Sequence, residues 1–272
     1  MSNSGYLIWN VRPEIFDLGY FSPRWYGLFF AAGFLLGNAV ATKIFRAEGR
    51  NEKSLSTLLI YIVLGTVIGA RLGHCLLYEP ERYLSHPWEI LNLREGGLAS
   101  HGGFTGVMIA IALFLRKHRE MSFLELADRL TVPALIGAVC IRVGNFFNSE
   151  MYGPSTTVPW AVIFSSIDDK PRHPSMLYEA ISYFFILSLL YALYFRTELK
   201  KTPGRILGLA LALCFLARFL IEFVKVDQVD FESGMLLNMG QILSIPFILV
   251  GVVLAVRRQQ TVGSKVFRKR MP

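Results

Sequence analysis

Residues 130–153 read "LTVPALIGAVCIRVGNFFNSEMYG". From Val132 to Ile141 the stretch is apolar, and then Arg142, Asn145 and Asn148 follow at three-residue spacing. That spacing puts all three on one face of a helix. An Arg at the centre of a membrane span is disfavoured by about 2.5–3.5 kcal/mol, less near the interface. A chain that carries one at the end of so apolar a run therefore has a use for it.

The rest of the chain argues that the run is a membrane span. Of 272 residues 53% are hydrophobic and the mean hydropathy is +0.43, above the range of ordinary soluble domains. The apolar residues fall into runs at about 25–45, 55–77, 97–115, 130–147, 178–195, 205–224 and 237–256, each close to the length that crosses a bilayer as a helix. Lipid leaves exposed strands and loops with unpaired backbone groups, so the runs are predicted to be helices. The expectation is an all-α polytopic membrane protein of seven transmembrane helices, forming a single membrane domain over 1–272. A small cap would lie at about 148–177. Within it "VPWAVIF" (158–164) is predicted to be extended and "IDDKPRHP" (167–174) to turn, while "PWEILNL" (87–93) suits a short interfacial helix. No cleavable signal peptide is evident at the N-terminus.

Charge orients the spans. Lys and Arg number 18 in the loops 43–54, 116–129, 196–205 and 257–272, against 7 in the alternate segments. Positive charge stays cytoplasmic. The N-terminus is therefore expected outside and the C-terminus inside, with the cap extracytoplasmic and the basic tail "SKVFRKR" (264–270) as a topology anchor. The scatter of basic residues over four loops argues against nucleic-acid binding.

With this topology the polar residues collect at the outer ends of the spans. Tyr26, Arg71, His74, His101, Arg142, Asn145, Asn148, Glu179, Arg218, Glu222 and Gln241 all fall there, and the inner halves contribute almost none. Arg71, Arg142 and Arg218 are predicted to line a polar cavity open to the outer leaflet. A guanidinium presents a planar fork of donors that fits phosphate, so the cavity suits an anionic phospholipid. Each residue also has a plain structural reading. Arg142 can snorkel while Asn145 and Asn148 cap the helix. Arg218 and Glu222, four apart, can form an intrahelical ion pair, which can also aim Arg218 at a ligand. Arg71 can neutralise Glu150 or Glu222, Tyr26 can be an interfacial aromatic, and His101 in "SHGGFTG" can be a hydrogen-bonded structural histidine. His173 reads as a turn residue and Glu179 as a helix partner. The cysteines Cys75, Cys140 and Cys214 and the five histidines lack metal-ligand spacing, so no metal is expected. The spans lack the interior lysine a retinal protein needs. Their apolar inner halves argue against a transporter, whose site lies near mid-bilayer.

Several stretches together resemble the bacterial prolipoprotein diacylglyceryl transferases: "RWYGLFF" (24–30), "GARLGHCLLYEP" (69–80), "REGGLASHGGFTG" (94–106), "RVGNFFNSEMYG" (142–153), "HPSMLYEA" (173–180), "RFLIEFVK" (218–225) and "MGQILSIPFI" (239–248). Ile141 stands where the family usually has Gly, Pro154 where Arg often follows, and Met176 where Gln is common. The resemblance implies transfer of a diacylglyceryl group from phosphatidylglycerol to the lipobox cysteine of a prelipoprotein. The products would be a thioether and glycerol phosphate, formed at the outer face of the bacterial cytoplasmic membrane without a cofactor. It ties Arg142 and Arg218 to phosphatidylglycerol and catalysis, and places Tyr26, His101, Asn145, Glu150, Gly153 and Glu222 on functionally important positions. His101 is the candidate base for the thiol, Asn145 and Tyr26 would orient the lipid head, and Asn148 and Arg71 complete the expected substrate-binding set.

Overall fold

The structure is a computed structural model that describes residues 5–19, 22–92, 97, 99–226 and 235–257. The basic tail lies outside the described residues. Eight α-helices are described: α1 Trp25–Ala47, α2 Glu52–Leu77, α3 Pro80–Ser85, α4 Ser100–Lys117, α5 Phe123–Phe147, α6 Ser175–Arg196, α7 Arg205–Ile221 and α8 Met239–Ala255. The seven long ones overlap the seven apolar runs, although α5 begins at Phe123, ahead of the run predicted over 130–147. Among the described residues α1, α2, α5, α6 and Arg205–Val224 are long and apolar enough to cross a membrane. α8 has 17 residues, or roughly 26 Å at ~1.5 Å per residue. α3 and a 3-10 turn at Pro87–Leu91 occupy the region where one interfacial helix was expected.

The chain is not wholly helical. A three-stranded sheet is built from β1 Leu7–Trp9, β2 Val162–Phe164 and β3 Pro171–Arg172, in that order. β2 lies in the stretch predicted to be extended. β1 corrects the all-α expectation: it pairs parallel with β2 in the register Leu7 to Val162, and local sequence does not announce so distant a partner. The sheet closes over the end of α5 and the start of α6. Its core is Phe146, Val162, Phe164 and Met176, with Trp9, Phe147, Tyr152 and Leu177 packed against it. Met176, the departure from the family pattern, is a fully buried member of that core.

The Asp168–Arg172 pair pins the turn between β2 and β3. Arg172 Nε donates to Asp168 Oδ1 at 3.1 Å, and its guanidinium lies 5.0 Å from the Tyr152 ring centroid. The Arg172 hydrogen bonds hold the Asp168 carboxyl at about 2. A depressed carboxyl stabilises the fold fully above its unfolded value of about 4, and the contribution fades as pH falls through 2. Hydrogen exchange across residues 162–172 is expected to accelerate between pH 4 and 2, and Asp168→Asn is expected to remove that dependence. An unchanged profile in the variant would show the pair to be idle.

The described chain divides into two compact units, residues 1–37 with 130–272, and residues 38–129. In the first, α6 packs on α7 and α7 on α8. Gly208 and Gly251 allow the close crossing of α7 and α8: a Cβ on Gly208 would sit 2.7 Å from the Gly251 carbonyl oxygen. In the second unit α2 packs along α4 through facing glycines. Gly65, Gly69 and Gly73 meet Gly102 and Gly106, backbone against backbone. Small residues at four-residue spacing are what lets membrane helices approach this closely.

Candidate active site

The site in the first unit begins where α5 stops. Asn148 N–H still reaches Gly144 O at 3.1 Å, but Ser149 and Met151 adopt left-handed backbone, with φ of 55° and 61°. Left-handed backbone at a side-chain-bearing residue costs roughly 1–2 kcal/mol, and such strain gathers at functional sites. Neighbouring bonds hold it in place. Ser175 Oγ donates to Met151 O at 2.6 Å, Glu150 N–H to Asn145 O at 2.9 Å, and Gly153 N–H to His173 O at 2.8 Å. The reversal brings the Glu150 carboxylate back over the helix end. There it accepts from Asn145 Nδ2 at 2.9 Å and Asn148 Nδ2 at 3.1 Å.

From Glu150 a line of charge runs inward. Asn145 Oδ1 accepts from Arg142 Nη1 at 3.2 Å, and Arg142 Nε lies 2.5 Å from Glu179 Oε2. The contact is a close ion pair whose N–H is not aligned on the oxygen. The other oxygen of Glu179 accepts from Lys225 Nζ at 2.8 Å, and Lys225 also reaches Glu222 Oε2 at 3.4 Å. Glu179 is fully buried, and Glu222 and Lys225 are nearly so. A buried charge that loses its partner costs several kcal/mol, so the four alternating charges hold one another in place. The Glu222 carboxylate rests on the first turn of α8, where a Cβ on Gly240 would stand 2.5 Å from its carbon. Unfilled amides at a helix start favour a negative charge there.

The expected Arg218–Glu222 pair is corrected by this geometry. α7 tightens into a 3-10 turn at Glu222–Val224. At three residues per turn the side chain three positions on comes round, and Glu222 meets Lys225 instead. Arg218 makes no hydrogen bond or ion pair among the described residues, and it is half-buried. It lies on α7, which packs against α6, the helix that carries Glu179. Tyr26 packs against Gly144 and feels the charges of Glu150 and Arg142. Gly153 leaves no room for a side chain, since a Cβ would overlap the Val224 carbonyl oxygen. Its glycine serves the approach of the segment that carries Lys225.

The other candidates lie in the second unit. Arg71, 3% exposed, donates to Ile90 O at 2.8 Å, Glu89 O at 2.7 Å, Asn92 O at 2.9 Å and Gly97 O at 3.3 Å, and lies 5.0 Å from the Tyr83 ring. It splints the segment before α4, where the sequence reading expected a group that binds substrate. Gly97, with φ +73°, is pressed between Arg71 and His74, and a side chain there is excluded on both counts. His101 begins α4 with an exposed imidazole that makes no hydrogen bond among the described residues.

Sequence reasoning missed Lys225 and read Glu179 first as a helix partner, with a site role as the lesser alternative. The Glu222–Lys225 spacing was the available signal for the lysine; Glu179 had none, because its partners come from α5 and from the end of α7. Among the described residues no three His, Cys, Asp or Glu side chains gather to hold a metal ion. What the arrangement offers chemically is positive charge: Arg218, which has no hydrogen-bonded partner among the described residues, and Arg142, held on Asn145 and Glu179.

Comparison with known proteins agrees with the motifs. Residues 13–257 match the family model described as prolipoprotein diacylglyceryl transferase. A protein from Tolumonas auensis named phosphatidylglycerol–prolipoprotein diacylglyceryl transferase is 53% identical over 248 residues, 91% of this chain and 96% of its own length. Proteins of the same name from Chloroherpeton thalassium and Bacteroides fragilis are 47% and 43% identical, covering 93% and 90% of this chain and 95% and 92% of their own.

Proposed function

The chain belongs to the prolipoprotein diacylglyceryl transferase family, and we propose that it carries out the transfer its relatives are named for. The donor is phosphatidylglycerol and the acceptor is the lipobox cysteine thiol of a prelipoprotein. Sulfur attacks the glycerol carbon that bears the phosphate ester. The C–O bond breaks, a C–S thioether forms, and glycerol phosphate leaves with the bonding electron pair as a phosphomonoester. Thiolate is the nucleophile, and a free thiol has a pKa of about 8.5, so a base or a positive field must help it lose its proton. His101 is the proposed base.

Charge builds on phosphate oxygen as the C–O bond opens. Fixed donors aimed at developing charge supply a large part of many rate enhancements. The observation that carries this reading is Arg218, a half-buried guanidinium with no hydrogen-bonded partner among the described residues, on a helix packed against the one whose Glu179 pairs with Arg142. Asn145, Asn148, Glu150 and Tyr26 are proposed to shape the headgroup site, Gly153 to let the segment that carries Lys225 approach it and Glu222 to back it electrostatically. The chain is a multi-pass membrane protein. We further propose seven spans with the N-terminus outside and the site facing the outer leaflet of the bacterial cytoplasmic membrane. The loop charge pattern and the gathering of polar groups at one end of α1, α5, α6, α7 and α8 support this topology.

The test uses purified protein, phosphatidylglycerol micelles and a synthetic lipobox peptide. Mass spectrometry is expected to show the diacylglyceryl adduct and free glycerol phosphate in equal amounts. Lipid binding without product would make the protein a scaffold. In the same assay His101→Gln is expected to slow transfer and flatten the acid limb of the pH profile, and a wild-type rate and profile would exclude His101 as the base.

A further inference from the structure

Lys225 has no direct role in the transfer just described, yet it is among the best-buried charges of the protein. Its side chain is 3% exposed and lies between two carboxylates, Glu179 Oε1 at 2.8 Å and Glu222 Oε2 at 3.4 Å. Glu179 in turn faces Arg142 Nε with its other oxygen. One fully buried carboxylate is therefore shared between a lysine on one side and the arginine of the lipid site on the other.

We propose that Lys225 is a positioning residue for the reaction: by neutralising Glu179 from behind, it keeps the Arg142 guanidinium available to the lipid phosphate. This rests on the reading of Arg142 as a phosphate ligand. The argument is one of charge balance. Arg142, Glu179, Lys225 and Glu222 sum to zero. Without the lysine, Glu179 would keep Arg142 as its one ion-pair partner among the described residues, in a region of low dielectric where opposite charges attract strongly. Glu179 Oε2 already lies 2.5 Å from Arg142 Nε, though without an aligned hydrogen bond. With its charge no longer shared with Lys225, Glu179 would hold the Arg142 guanidinium more tightly, and the phosphate would have to compete with it. The side chain that sets the affinity for the lipid would thus be one that the lipid does not touch.

The experiment is a double-variant cycle of Lys225→Met and Glu179→Gln, with KM and kcat measured for phosphatidylglycerol at saturating peptide. Wild-type transfer in the same assay establishes the underlying reaction first. Lys225→Met is expected to raise KM for the lipid at least tenfold while changing kcat less than threefold. In the Glu179→Gln background the same substitution is expected to move KM less than threefold, because the competing carboxylate is gone. A KM within twofold of wild type in Lys225→Met, or a loss confined to kcat, would overturn the proposal. So would a tenfold effect that persists in the Glu179→Gln background, since Lys225 would then act by another route. Should Lys225→Met fail to fold, Lys225→Gln, which removes the charge but leaves a donor for Glu179, carries the test by the same ratios. Should wild-type protein transfer nothing, binding of the same variants to phosphatidylglycerol vesicles decides the point by the same ratios.

Discussion

Arg218→Gln is expected to lower the rate of transfer at least a hundredfold while leaving the protein as stable as the wild type. Removing one preorganised donor to developing negative charge typically costs about 10²–10³ in rate, or about 2.7–4 kcal/mol, and here a full positive charge goes with it. The unusual half of the prediction is the second. Most substitutions that silence a buried charge also weaken the fold, because they strand a partner. Arg218 has no ion-pair partner among the described residues to strand. The variant should melt within about 0.5 kcal/mol of wild type, the range of substitutions that break no packed or paired feature. Arg142→Gln is the instructive contrast: turnover should fall by a similar factor, but stability should fall too, because Glu179 loses one of its two cations. Thermal melts and initial rates on the same preparations decide both points. Wild-type rates in both variants would remove the electrostatic account, and an unfolded Arg218→Gln would show that the side chain holds the structure after all.

Gly106→Val is expected to abolish the folded second unit. A Cβ at Gly106 would overlap the Gly65 carbonyl oxygen and lie 3.0 Å from Gly69 Cα. Those obstacles are backbone, so no side chain can swing away and α2 and α4 would have to part. Overpacking a core costs typically 1–3 kcal/mol, and more where the surroundings cannot shift. Separating α2 from α4 also forfeits the packing along their whole length. Transfer should be undetectable, and the melting temperature should drop by about 10 °C or the protein should fail to accumulate. Gly103→Ala on the same helix is the control. Its nearest neighbour would be Ala70 Cβ at 3.5 Å, an ordinary contact, and stability should stay within about 0.5 kcal/mol. Equal losses in the two variants would point to helix propensity or expression rather than to the backbone crossing.

The site was legible in proportion to how local its signals are. Arg142, Asn145 and Asn148 announce themselves by spacing on one helix, and the structure joins them through Glu150. Arg218 stands out because a charge in an apolar run is rare. Arg71 carried the same signal, yet its guanidinium holds main-chain carbonyls at Glu89, Ile90, Asn92 and Gly97. Hydropathy shows that such a charge needs a partner and leaves the partner unnamed.

The sequence alone determined the helices, their extents and the family, because apolar length and side-chain spacing are properties of neighbours in the chain. Tertiary structure decided which charges meet. The 3-10 turn after Ile221 hands Glu222 to Lys225 instead of Arg218. The left-handed Ser149 and Met151 turn Glu150 back over α5. The shared carboxylate of Glu179 couples Lys225 to Arg142. Each of these depends on where separate helices come to lie against one another, and a buried ion pair is set by that distance and by the low dielectric around it. Neither quantity can be read from the order of residues.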